Sequence, residues 1–250
     1  MIPLVDIRRA REVIATAAIR TLTIRLNFPE SPAQIFLKLE NLQPIGSFKI
    51  RGAANAMRQV ERETLARGVI TASAGNMAQG VAWNARELGV PCTVVVPESA
   101  PATKVAAIER LGGKVVKVPF DQWWQTIVDH RFEGIEGVFI HPIENDLVMA
   151  GNGTIGLEIL EDVPDASVVL IPWGGGGLSI GIASALRALK PDTKIYAIEV
   201  ETATPLSSSL AAGSPQVVSH RASFVDGIAA RSLLPRMLPL AQELLDGVLV

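Results

Sequence analysis

The sequence is poor in the residues that staple secreted domains and in those that grip nucleic acid. Its 250 residues hold one cysteine, Cys92. That excludes an internal disulfide framework and fits a reducing compartment. Lysine and arginine number 23 against 25 aspartates and glutamates, a net charge of −2 with no basic run. Such a balance argues against nucleic acid as a partner. No uninterrupted apolar stretch is long enough to cross a bilayer, and the early charges of MIPLVDIRRAREVI argue against a signal peptide. Low-complexity linkers and short repeats are also lacking. Apolar residues make up 48% of the chain and charged residues 19%, which suits a globular protein with a sizeable core. The expectation is a soluble cytoplasmic protein with no nucleic-acid or membrane partner.

What is present is a repeating order. A short β-branched run, a loop of small residues and a helical pattern follow one another from residue 68 onward. GVITAS precedes NMAQGVAWNAREL, CTVVVP precedes ATKVAAIERLGG, and KVVKVP precedes DQWWQTIVDHRF. GVFIHP, SVVLIP and KIYAIE lead in the same way into NGTIGLEILEDV, LSIGIASALRALKP and a weaker helix over 205–212. Apolar runs without alternation predict strands buried on both faces. Strict alternation of strand and helix predicts right-handed βαβ units in a doubly wound parallel sheet. Ligands of such sheets gather in the loops beyond the carboxyl ends of the strands.

Those loops hold the chemistry. In VVLIPWGGGGLSIGIASAL, Gly174, Gly175, Gly176 and Gly177 separate a strand from a helix. Residues without Cβ let successive N–H groups converge on an anion, and the helix start adds its own free N–H groups. A phosphate is the expected occupant, against a plain tight turn. A dinucleotide fits less well, although Glu199 ends a strand about 24 residues on. The sixth position counted from Gly174 is Ser179, and from Gly175 it is Ile180, so G-x-G-x-x-G fails. SAGN (73–76) opens another helix, where Ser73, Asn76 and the first N–H groups suit a carboxylate, or merely cap the helix. SFKIRG (47–52) puts Lys49 at the first turn of a third helix. Taken alone, that lysine reads as solvated.

Together, SFKIRGA, SAGNMAQG, the four glycines and VDGIA (225–229) resemble the serine/threonine dehydratase family. These are pyridoxal-phosphate (PLP) enzymes of the tryptophan-synthase-β-like fold, fold type II. The resemblance implies two doubly wound parallel-sheet domains. The larger, which binds the cofactor, would comprise 1–60 and 142–250 and be short at its C-terminal end; the smaller, which binds substrate, would be 61–141. It implies pyridoxal 5'-phosphate as cofactor, tethered to Lys49 as a Schiff base, with Lys49 as catalytic base. Phe48 would pack beside the ring, Asn76 would bond its hydroxyl, and Gly174 to Gly177 would cradle the phosphate. Gly227, beside Asp226, would close the far side. Ser73, Ala74, Gly75, Asn76 and Met77 would bind the substrate carboxylate. The implied activity is elimination of water from L-serine, L-threonine or a related β-hydroxy amino acid, giving a 2-oxo acid and ammonia, in a homodimer or higher homo-oligomer.

The chain departs from the family pattern in places. Met77 stands where histidine is usual, and Ala74 where serine-racemising members carry a hydroxyl, which argues for elimination over racemisation. Pro205 occupies the position of a metal-site acid in the racemase-like branch, and Glu199 alone makes a poor site, so no metal is expected. The family's catalytic domain continues past this chain's last residue, to a side chain that contacts the pyridine nitrogen. The 250 residues are therefore expected to be a fragment. The alternatives are a PLP-dependent racemase or β-replacement enzyme, and an inactive PLP- or amino-acid-binding protein. His130, His141 and His220 stand in unrelated sequence contexts and read as structural, Trp123 and Trp124 as packing or oligomer contacts, and Arg8, Arg9 and Arg11 as a solvated helix face.

Overall fold

A computed structural model describes residues 1–228 and 230–250. Ala229, the last residue of VDGIA, lies outside the described residues. The chain opens with helix α1 (Leu4–Val13), the antiparallel pair β1 (Thr23–Arg25) and β2 (Phe36–Lys38), and a 3-10 turn at Glu40–Leu42. Helices α2 (Lys49–Arg58) and α3 (Arg62–Leu65) follow. Then come β3 (Val69–Ala72), α4 (Asn76–Leu88), β4 (Cys92–Pro97), α5 (Ala102–Arg110), β5 (Lys114–Val118), α6 (Phe120–Asp129) and β6 (Val138–Phe139). The remainder is α7 (Asp146–Asp162), β7 (Val168–Pro172), α8 (Gly177–Leu189), β8 (Lys194–Ile198), α9 (Pro205–Ala212), α10 (Met237–Leu244) and β9 (Gly247–Leu249).

Two parallel sheets result, ordered β5-β4-β3-β6 and β7-β8-β9. In the first, the β-branched run makes two apolar faces. Val69, Val94 and Val96 pack with Ala78, Val81 and Ala85 of α4 and with α2, whereas Ile70, Ala72 and Val95 turn to Ile127 of α6. Helices thus cover both faces, as the sequence predicts. Cys92 is buried at the start of β4, where burial pushes its thiol up to about 12.

The second sheet corrects one expectation. Val169 and Ile171 face a core built from α1, α7, α8 and α10, but Val168 and Leu170 are 51% and 56% exposed. β7 is an edge strand covered on one face among the described residues, so its apolar run is not buried on both sides. Strand β9 and the hairpin β1–β2 carry no helical loop signal and were not anticipated. The three arginines of α1 are exposed as expected. Trp123 and Trp124 pack with the apolar residues around α6.

Helix α7 runs through the middle, against α1, α2 and α8. At two glycines it brings backbone against backbone. A Cβ on Gly151 would lie 2.5 Å from the carbonyl oxygen of Arg51, and one on Gly181 would lie 2.2 Å from that of Met149. Only glycine permits such approach.

Arg51 locks the same helices together. Its guanidinium, 1% exposed, donates to both oxygens of Glu40 at 2.9 and 2.8 Å and to both of Glu158 at 2.6 and 2.9 Å. It also donates to Thr154 and to the Ile19 carbonyl. Lys38 Nζ reaches Glu158 at 2.7 Å. Burial opposes the charge, but the bonds to Glu40 and Glu158 outweigh it and raise the pKa. Replacing Arg51 with Met would leave Glu40 without its cation and Glu158 with Lys38 alone, so Arg51→Met is expected to lower unfolding free energy by about 3–5 kcal/mol. Arg51→Lys would recover only part, since an ammonium cannot span two carboxylates. Urea midpoints measure this; a loss under about 1 kcal/mol for Arg51→Met would contradict the assignment.

Candidate active site

Lys49 begins α2 as a half-buried residue whose amino group is turned in among protein atoms. The nearest acceptor is the Pro142 carbonyl, 3.5 Å from Nζ, and the Phe48 ring centroid lies 5.2 Å away. No carboxylate pairs with this amine among the described residues, so burial lowers its pKa from 10.5 to about 8. A substantial fraction of a nucleophilic, unprotonated amine is thereby present near neutral pH.

The glycine loop lies on the other side of Pro142 and Ile143. A Cβ on Gly175 would stand 2.7 Å from the Ile143 side chain, and one on Gly177 would stand 2.9 Å from its carbonyl oxygen. Gly176 takes φ +94, and a Cβ there would meet the buried Trp173 ring at 2.5 Å. Helix α8 starts on this loop with no capping side chain, so its first N–H groups are left without a side-chain acceptor at the cap. Asn152 donates to the Gly177 carbonyl at 3.3 Å. Gly174 faces Ile228 and the Gly227 carbonyl, at 3.3 and 3.6 Å from its would-be Cβ. Lys104 of α5 pairs with Asp226 at 2.5 Å. Lys49, the four glycines and Gly227 are thus brought into one neighbourhood.

The 73–77 segment flanks it. A Cβ on Gly80 of α4 would lie 3.1 Å from the Lys49 carbonyl oxygen, so α4 runs against the start of α2. Helix α4 also lacks a capping side chain: the Ser73 hydroxyl accepts from the Gly75 N–H at 3.2 Å instead. Ala74 is half-buried in the same turn. The Asn76 side chain is exposed, and its Oδ1 accepts from Gln79 at 3.5 Å. Met77 turns away into the apolar cluster with Met57, Val81 and Val148. Its side chain fills core, and only its backbone borders the loop.

One sequence reading changes. His130 and His141 are not in unrelated surroundings: their ring centroids are 4.5 Å apart, and His130 Nε2 lies 3.4 Å from Glu144 Oε1. With Glu144 they form a cluster of metal-ligating atoms within 4.8 Å of one another. His141 Nδ1, however, accepts from the Ile143 and Glu144 N–H groups at 3.1 and 2.9 Å. The ring proton therefore sits on Nε2, which leaves no lone pair there for an ion. Burial, with His130 and Lys49 nearby, pushes this imidazole down to about 4. Glu199 proves to be a helix cap, accepting from the Leu206 and Ser207 N–H groups at 2.6 and 2.8 Å and from the Ser207 hydroxyl. That excludes it as a free ribose-binding acid. Sequence reasoning passed over Pro142, Ile143 and Trp173, although HPIEN lies beyond the carboxyl end of a parallel strand, where site loops belong.

The arrangement offers one enclosed amine and two uncapped helix starts, each able to hold an anion. It fits pyridoxal phosphate: an amine for the carbonyl, a Cβ-free cradle for the phosphate, and a second helix start for a substrate carboxylate.

Residues 14–250 match the family model described as pyridoxal-phosphate dependent enzyme. An L-threonine ammonia-lyase of Geobacter sulfurreducens is 45% identical over 218 residues, covering 86% of this chain and 54% of the relative. The solved serine racemase of Dictyostelium discoideum is 33% identical at TM-score 0.89, covering 100% of this chain and 81% of that one. The processed threonine deaminase isoform 2 of Solanum lycopersicum is 34% identical at TM-score 0.87, covering 98% and 72%. The chain spans about half the length of the curated relatives it matches.

The enclosed lysine carries a testable cost. Between pH 8 and 10.5 the unfolded chain binds more protons than the folded one, so this group makes stability rise with pH there. Below about pH 8 the penalty is constant and fully present. Lys49→Met is therefore expected to stabilise the cofactor-free protein by about 1–3 kcal/mol at pH 7, with the gain fading toward pH 10.5. Denaturant titrations of both proteins at the two pH values would show it. A destabilised Lys49→Met protein at pH 7 would mean that the amine is solvated.

Proposed function

Since the chain belongs to the family of pyridoxal-phosphate-dependent enzymes, we propose that the protein carrying it is an ammonia-lyase. It would eliminate water from L-threonine, L-serine or a closely related β-hydroxy amino acid. The observation that carries this reading is the enclosed Lys49 amine beside an uncapped, Cβ-free helix start. The named relatives direct it to threonine.

Lys49 would hold the cofactor through Nζ, with Phe48 against its ring, Asn76 at its hydroxyl, Gly174 to Gly177 at its phosphate and Gly227 across from them. Ser73, Ala74 and the N–H groups of Gly75, Asn76 and Met77 would hold the substrate carboxylate, fixing the α-carbon near Nζ. Bound there, pyridoxal phosphate supplies a ring that stores the electron pair left when the α-proton departs. Lys49 Nζ would be the base that takes that proton, and its lowered pKa suits a general base near neutral pH. The same Lys49 ammonium would return its proton to the β-hydroxyl, which would leave as water, and the released enamine would be hydrolysed by water to a 2-oxo acid and ammonia.

Residues 1–60 with 142–250 are taken as the cofactor-binding part and 61–141 as the substrate-binding part, a division supported by the two separate parallel sheets. A homodimer or higher homo-oligomer is supported by apolar side chains exposed on the β1–β2 hairpin, among them Phe28 and Phe36. No described helix is long and apolar enough to cross a membrane; a cytoplasmic location remains part of the proposal.

Borohydride treatment of the PLP-loaded protein followed by peptide mapping is expected to place a pyridoxyl group on Lys49. Recovery on Lys38 or Lys104 would overturn the assignment. Lys49→Ala is expected to lose at least about a thousandfold in oxo-acid production.

The second reading, a racemase, is favoured by the likeness to solved serine racemases. Ala74, which offers no hydroxyl as a second acid or base, weighs against it. Chiral analysis with L-serine should find oxo acid and ammonia with little D-isomer, and Ala74→Ser should raise the D-fraction. Racemisation outpacing elimination in the unaltered protein would reverse the order of the two readings.

A further inference from the structure

The segment 141–144 touches both halves of the site, and one side chain shapes it. The strand before it is pinned where the Thr71 hydroxyl donates to the Ile140 carbonyl at 2.9 Å. The residues after it are pinned by Arg236, which donates to the Glu144 carbonyl at 3.0 Å and pairs with Asp146. Between these anchors, the Ile143 and Glu144 N–H groups both end on His141 Nδ1. His141 is 2% exposed, and its Nε2 is buried on the side away from that turn. The ring is thus held as an acceptor for the backbone.

The turn so formed presents two surfaces. The Pro142 carbonyl meets Lys49 Nζ at 3.5 Å, and the Ile143 side chain and carbonyl abut Gly175 and Gly177. We propose that His141 is a positioning residue: its Nδ1 fixes the 141–144 turn, and through it both the orientation of the Lys49 amine and the floor of the glycine cradle. His141 itself touches neither. The inference rests on the cofactor reading above for its consequence, though not for its geometry.

Asparagine carries an acceptor at nearly the place of Nδ1, whereas leucine fills the volume without one. In His141→Leu, hydrogen exchange of the 143 and 144 amides should quicken about tenfold or more, in protein freed of PLP as well as loaded. PLP affinity, followed by fluorescence titration, should fall about tenfold, and the visible band of the loaded protein should shift as the Lys49 amine loses its fixed carbonyl neighbour. His141→Asn should restore exchange, affinity and spectrum to within about threefold of the unaltered protein. Equal exchange at 143 and 144 in the unaltered protein and a folded His141→Leu would overturn the proposal. So would an asparagine variant as impaired as the leucine one. If the leucine variant does not fold, the asparagine variant decides alone, because a ring needed only for packing would not be replaced by an amide. Failure of the unaltered protein to bind PLP would sink the cofactor reading, while the exchange measurement would still judge the turn.

Discussion

A guanidinium shut away from water, with a carboxylate on each side, determines where the working end of this molecule can be. Arg51 ties α2 to the turn at Glu40 and to α7 at Glu158. Lys49 stands two residues earlier, about 200° around the same helix. The clamp on one side of α2 therefore aims the amine on the other. The two cations share the helix and the burial, yet they end in opposite states. Arg51 has two carboxylates and is held charged; Lys49 has a lone carbonyl and yields its proton easily. Partners decide the outcome, rather than depth.

Around that amine the site is built largely from main chain. Carbonyls of Pro142 and Ile143, the glycine N–H groups and two helix starts supply most of its polar surface. Side chains act mostly from behind: Trp173 under Gly176, Asn152 on the Gly177 carbonyl, Ile143 against Gly175. Such a surface is stiff, because moving it means moving helices that already touch through glycine at α7.

Much of this was legible in the residues. The β-branched runs gave β3 to β8, and α4 and α9 have the predicted bounds, because apolar periodicity and small-residue loops are local signals. The four glycines announced an anion site for the same reason: their meaning lies in the absence of Cβ. Other features were hidden because they depend on distant partners. Arg51 is in the same six residues as Lys49, yet its role needs Glu158, more than a hundred residues on. The pairing of His130 with His141 requires α6 to end beside the exit of β6. The exposed face of β7 shows that a run of β-branched residues does not say how many layers cover it. Met77 is a different case, since the sequence showed the unusual residue but not that its side chain points into the core.

Cys92 has a practical consequence. The chain's one sulfhydryl is sealed at the start of β4, and its thiolate is suppressed at any ordinary pH. Thiol-directed reagents find no accessible cysteine in the folded chain. A cysteine introduced at an exposed position, such as Asp226 at the mouth of the site, would then be the single reactive handle. A fluorophore attached there would report on that loop alone, without the background that a cysteine-rich relative would give.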